Sequence, residues 1–82
     1  MKASVEISLY PLNENYKEII KNFIEEINRK NSNLKIETNL MSTQIFGDYD
    51  EVFSLLKTGM KEVFEKHPAI FVMKFIGKDL TE

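Results

Sequence analysis

Val5, Ile7 and Leu9 alternate with Glu6, Ser8 and Tyr10. A period of two belongs to a strand with one face buried, so these residues predict a first strand. Pro11 closes it, having no amide to give to a ladder. The period then changes. Tyr16, Ile19, Ile20, Phe23, Ile24 and Ile27 recur at helical spacing along one stripe. Asn15 stands where an N-cap belongs, and Glu18 three residues later completes a capping-box-like pair. A polar stretch over residues 28–33 breaks the helix. Leu34, Ile36 and Thr38 then alternate with Lys35 and Glu37, and Met41, Thr43 and Ile45 with Ser42, Gln44 and Phe46. Two strands with only Asn39 and Leu40 between them predict an antiparallel hairpin.

The capping signature returns at Asp48 and Glu51, ahead of a second helical stripe of Tyr49, Val52, Phe53, Leu56, Met60, Val63 and Phe64. Gly59 costs that helix about 1 kcal/mol relative to alanine, which points to a close approach, the first helix being the expected neighbour. His67-Pro68 stops it. Residues 69–77 are almost continuously apolar and predict a fourth strand, with Phe71, Met73 and Phe75 on one face and Ile70, Val72, Lys74 and Ile76 on the other. A polar tail follows over residues 78–82.

The halves echo each other: Asn15-Tyr16-Lys17-Glu18-Ile19 lies 33 residues before Asp48-Tyr49-Asp50-Glu51-Val52. Each half is a βαβ unit. Right-handed crossovers put both helices on one side of a single four-stranded antiparallel sheet, with the first and third strands central. That is a ferredoxin-like α+β sandwich, expected to form one domain over residues 1–82. A fold this small buries only roughly 60% of its unfolded surface. Yet 43% of the residues are apolar, with six Phe, three Tyr and nine Ile, a surplus that suggests a partner subunit.

Composition removes several functions that this fold can carry. With no cysteine there is no thiolate metal site, disulfide or Cys-x-x-Cys loop, and with His67 alone there is no multi-histidine site. Eleven basic residues are scattered over a chain of net charge −2, so no face tracks phosphates and no nucleic-acid partner is expected. Tyr10 and Phe46 lie on the open sheet face, but Glu6, Ser8, Ser42 and Gln44 surround them, unlike an RNA-stacking platform. The single arginine, Arg29, sits at a helix end, where a cation compensates the helix dipole. No apolar run approaches the ~18 residues of a membrane span, and the N-terminus meets a charge at Lys2, so a soluble cytoplasmic protein is expected. No nucleophile–base pair is visible, and Asp48, Asp50 and Glu51 are explained by a capped first turn. The chain is expected not to be an enzyme.

Two features remain. Ile70, Val72, Ile76, Tyr10 and Phe46 should all point to the sheet face that carries no helix, and a face that apolar seldom stays wet. Assembly into a homo-oligomer through that face is expected, with Glu6 and Lys74 paired across adjacent strands. The other feature is Thr43, a hydroxyl on the apolar side of a strand. Buried without a partner it would cost on the order of 1–3 kcal/mol. Its partner is either internal or a ligand.

The opening strand Val5-Glu6-Ile7-Ser8-Leu9-Tyr10-Pro11-Leu12 and the segment Met41-Ser42-Thr43-Gln44-Ile45-Phe46-Gly47-Asp48, at their separation, resemble the corresponding motifs of the YkoF-type thiamine-binding family over nearly the whole chain. The chain departs at Asn13, where the family often carries glycine. Asparagine tolerates left-handed backbone better than other non-glycine residues. Some members hold two such units in one chain, so this one is expected to associate as a dimer or tetramer. The resemblance implies a non-catalytic binder whose small-molecule ligand is thiamine or its hydroxymethylpyrimidine part, with no cofactor. It assigns Thr43 and Ser42 to the ligand. The strand reading adds Thr38, Asn39 and Met41 beside them and Asp48 at the motif's far end, and Tyr10 is the nearest central aromatic, serving either ligand or oligomer. The rival is an oligomeric interaction or regulatory module with no small ligand.

Overall fold

The computed structural model describes residues 1–82. Its elements run β1 (Lys2–Pro11), α1 (Tyr16–Lys30), β2 (Lys35–Thr38), β3 (Thr43–Asp48), α2 (Tyr49–Lys66) and β4 (Ala69–Ile76). The sheet is antiparallel throughout, in the order β2-β3-β1-β4. The ferredoxin-like βαββαβ topology expected from the periodicities is therefore the one observed, with β1 and β3 at the centre.

The alternation along β1 sets the core. Ala3, Val5, Ile7 and Leu9 are buried under the helices and join Ile45 of β3, Ile19, Phe23 and Ile27 of α1, and Val52, Leu55, Leu56 and Val63 of α2. A one-residue slip of β1 would turn all of its apolar side chains to solvent, so the pattern fixes the register. The helices meet at Gly59. A Cβ there would lie 3.1 Å from both Ile27 Cγ2 and Phe23 Cε1, so the missing side chain lets α1 approach α2. On the edge strand, Phe71 packs edge-on against Phe23 and Phe64, and Phe75 stacks on Phe53.

The two helix starts differ. Asp48 caps α2 as its sequence suggests, accepting from the Glu51 amide at 3.1 Å. Asp48→Ala should cost about 0.5–2 kcal/mol of stability in thermal unfolding; a silent substitution would refute the cap. Asn15 does not cap with its side chain. Its backbone, at φ −83° and ψ 27°, lies outside the extended region from which a cap reaches the first turn. Its carbonyl accepts instead from the Glu18 and Ile19 amides, and its own amide donates to Asn13 Oδ1 at 2.8 Å. Asn13 does not use left-handed backbone, since no residue other than glycine has positive φ. It shapes the loop through its carboxamide.

Other expectations need adjustment. β3 begins at Thr43, so Met41 and Ser42 belong to the hairpin turn rather than to the strand. The tail is not a free polar end. It returns over the open face, where Ser4 Oγ donates to the Lys78 carbonyl at 2.8 Å and accepts from the Leu80 amide at 3.0 Å. This explains why Ser4, on the polar side of β1, is buried. The Thr81 hydroxyl and amide donate to Asp79 and hold its carboxyl below the usual carboxylate range. Elsewhere on the surface, Arg29 pairs with Glu26 at 2.7 Å in the last turns of α1, which depresses the Glu26 carboxyl, and Lys30 pairs with Glu62 across the helices. His67 follows α2 and donates its amide to the Val63 carbonyl at 2.8 Å. No helix is long and apolar enough to cross a membrane.

Candidate functional site

Thr43 opens β3 directly opposite Ile7 of β1 on one side and Thr38 of β2 on the other. Its side chain points to the helix-covered side and is only 5% exposed. The Thr43 and Thr38 hydroxyl oxygens lie 3.1 Å apart, one donating to the other. A pair of hydroxyls holds two hydrogens and spends one on the mutual bond, so one O–H and several lone pairs stay available. The internal partner is thus found without exhausting the chemistry of the pair.

Beside this pair is a cavity of about 340 Å³. Ile7 and Leu9 of β1 and Phe23, Ile20, Ile24 and Tyr16 of α1 form its apolar walls, and the end of the hairpin from Thr38 to Thr43 forms the polar one. It exists because β2 is only four residues long and most of it is solvent-exposed, so the hairpin end and α1 leave a gap between them. The volume lies at the lower end of the range typical for small-molecule sites, and the mixture of apolar walls with a few polar groups is typical of them too.

Six of the seven candidate residues line this cavity: Thr43, Ser42, Thr38, Asn39, Met41 and Tyr10. Their roles differ. Asn39 Oδ1 accepts from the Met41 and Ser42 amides at 2.8 and 3.1 Å, so the carbonyl end shapes the turn and the amide end keeps its donors. Ser42 Oγ donates to Glu6 Oε2 at 3.0 Å and accepts from Gln44 Nε2 at 3.1 Å, which commits it to the open sheet face. Met41 and Leu40 project from the turn almost fully exposed. Asp48 does not join them. It caps α2 at the opposite end of β3, five strand steps or roughly 17 Å from Thr43. Sequence reasoning missed the α1 wall of Tyr16, Ile20 and Ile24, because helical periodicity assigns such residues to a core and does not reveal that their neighbours leave a gap.

The open face has the expected character. Tyr10, Ile70, Val72 and Ile76 are about half exposed, and Glu6 and Lys74 stand opposite each other with 3.8 Å between their charged groups. No cluster of three or more His, Cys, Asp or Glu side chains offers a metal site.

The model of the YkoF-related family matches residues 2–76. The chain belongs to that family. Membership agrees with the resemblance carried by the β1 and β3 motifs. Among solved structures, the YkoF-related chain is similar to a Streptococcus pneumoniae protein, at 18% identity and a TM-score of 0.86, covering 100% of this chain and 92% of that one. It is also similar to a Thermotoga maritima protein provisionally described as acting in thiamine biosynthesis or salvage, at 20% identity and a TM-score of 0.80, covering 92% and 82%. A hypothetical protein of Methanocaldococcus jannascii is 27% identical, with a TM-score of 0.79 and coverage of 99% and 84%. No curated protein matches the chain.

Proposed function

We propose that this protein binds thiamine or its hydroxymethylpyrimidine part in the cavity beside Thr43, without transforming it, and does so as a cytoplasmic homo-oligomer. The observation that carries this reading is the meeting of a free hydroxyl hydrogen, an available carboxamide NH2 and flat apolar walls in one cavity of suitable size. An aminopyrimidine needs these things: donors for its ring nitrogens, an acceptor for its amino group and walls for its ring. The hydroxyl lone pairs supply the acceptor. The thiazolium of thiamine, at the mouth, would meet the Tyr16 ring, as cations do on aromatic rings. Binding without catalysis is supported by the lining, which contains no carboxylate and no imidazole to move a proton. The solved neighbour described in terms of thiamine biosynthesis or salvage agrees with this ligand class.

Thr43→Val tests it, since the change keeps the shape and removes the hydroxyl. Affinity for hydroxymethylpyrimidine, measured by calorimetric titration, should fall by roughly 0.5–1.5 kcal/mol, about three- to tenfold. The absence of any heat with thiamine and with hydroxymethylpyrimidine, at millimolar ligand and with the oligomer intact, would favour the interaction module instead.

A further inference from the structure

Every one of the 15 residues that line the cavity is uncharged. We infer that, given the pyrimidine-binding reading above, the site takes its pyrimidine only in the unphosphorylated form and discriminates against the phosphate ester. A phosphate carries close to two negative charges near neutral pH. Proteins hold such a group with arginine or lysine, or with free amides at a helix start. No side-chain cation is offered here, and the helix start offers two backbone amides at most. No lysine or arginine lines the cavity. The start of α1 borders it at Tyr16, where the Glu18 and Ile19 amides are taken by the Asn15 carbonyl and the Asn15 amide by Asn13 Oδ1; the Tyr16 and Lys17 amides stay free, two neutral donors with no cation beside them in the lining. The one cation set against a lining side chain is Lys17, whose Nζ lies 6.0 Å from the centre of the Tyr16 ring; Lys17 itself is exposed and outside the lining.

Hydroxyl and carboxamide dipoles satisfy a neutral ring but do not offset the loss of water around a dianion. The discrimination runs one way. A cation at the mouth meets the Tyr16 ring, so thiamine is not penalised as a phosphate ester is. The sharpest comparison is between hydroxymethylpyrimidine and its monophosphate, which share a ring and differ at the group held nearest to it.

The experiment is calorimetric titration of the intact oligomer with these two compounds, repeated with Lys17→Gln. The monophosphate should bind at least about tenfold more weakly than the free alcohol, and Lys17→Gln should leave that ratio unchanged. Equal or tighter binding of the monophosphate would overturn the inference while leaving pyrimidine binding in place, and weakening of the monophosphate alone by Lys17→Gln would identify the cation that the inference denies. Failure of both compounds to bind would overturn the inference together with the reading on which it rests.

Discussion

Gly47→Ala is expected to lower stability by on the order of 1–3 kcal/mol, the cost of holding a side chain in backbone space that only glycine enters freely. Gly47 sits in β3 at φ +147°, the one positive φ in the chain. Space is short as well. A Cβ there would come within 2.6 Å of Leu34 Cδ2, and Leu34 is buried just ahead of β2. The strand must turn at this point from its pairing with Ala3 into the Asp48 cap of α2. Gly77→Ala is the control, because a Cβ at Gly77 meets only Met1 Cε, at an ordinary 3.6 Å. Denaturant unfolding should separate the two variants clearly. Equal midpoints would mean that the β3–α2 junction is not strained at Gly47. The cavity lies at the other end of β3, so the folded Gly47→Ala protein should keep the ligand affinity of its parent.

That glycine shows what a sequence reveals and what it withholds. Its place between an alternating strand and a capped helix was readable from Met41-Ser42-Thr43-Gln44-Ile45-Phe46-Gly47-Asp48, because each signal there is local. Alternation marks the strand, the Asp48–Glu51 spacing marks the cap, and the Ile7–Leu9 and Phe71–Phe75 alternations mark central β1 and edge strand β4 in the same way. Leu34 as the group that makes Gly47 obligatory was not readable, since it arrives through tertiary packing. Gly59 is similar. A close approach was legible from its cost to the helix, but the identities of Phe23 and Ile27 as the approaching atoms come from the fold.

The site divides along the same line. Thr38, Asn39, Met41, Ser42 and Thr43 are contiguous or nearly so, and a hairpin keeps such residues together. Asp48 belongs to the same motif yet lies at the far end of an extended strand, where sequence proximity overstates spatial proximity. Met41 lost its strand position because the turn needs four residues, which the Asn39 side chain organises by accepting two amides. The tail over Ser4 was invisible to pattern reading. A serine on the polar side of a strand gives no sign that residues 78–80 will return 74 positions later to bond it. The Asn15 cap fails for a reason of the same kind, a competing local bond from the Asn15 amide to Asn13 Oδ1 that a capping rule does not weigh.

Val72→Lys should separate the subunits of the proposed homo-oligomer. Val72 lies mid-strand on β4, opposite Ser8, on the face that carries no helix, and is 50% exposed in the single chain. A valine that exposed contributes little to the subunit's own core, so the lysine leaves the fold intact. In a stacked interface the same lysine would be an unpaired buried charge, costing about 3–5 kcal/mol. That corresponds to a dissociation constant raised by on the order of a hundredfold to several thousandfold. Glu6 does not rescue it, because Glu6 already stands opposite Lys74 and accepts from Ser42. The tail shields only the Ser4 corner of the face and leaves Tyr10, Ile70, Val72 and Ile76 to be covered. Sedimentation velocity at micromolar protein should therefore give an oligomer for the parent and a monomer for Val72→Lys. Thr58→Lys, which adds the same charge on the exposed side of α2, should sediment like the parent. A monomeric parent would sink assembly through the sheet face, and an oligomeric Val72→Lys would move the contact to another surface; in either case pyrimidine binding would still be decided by titration.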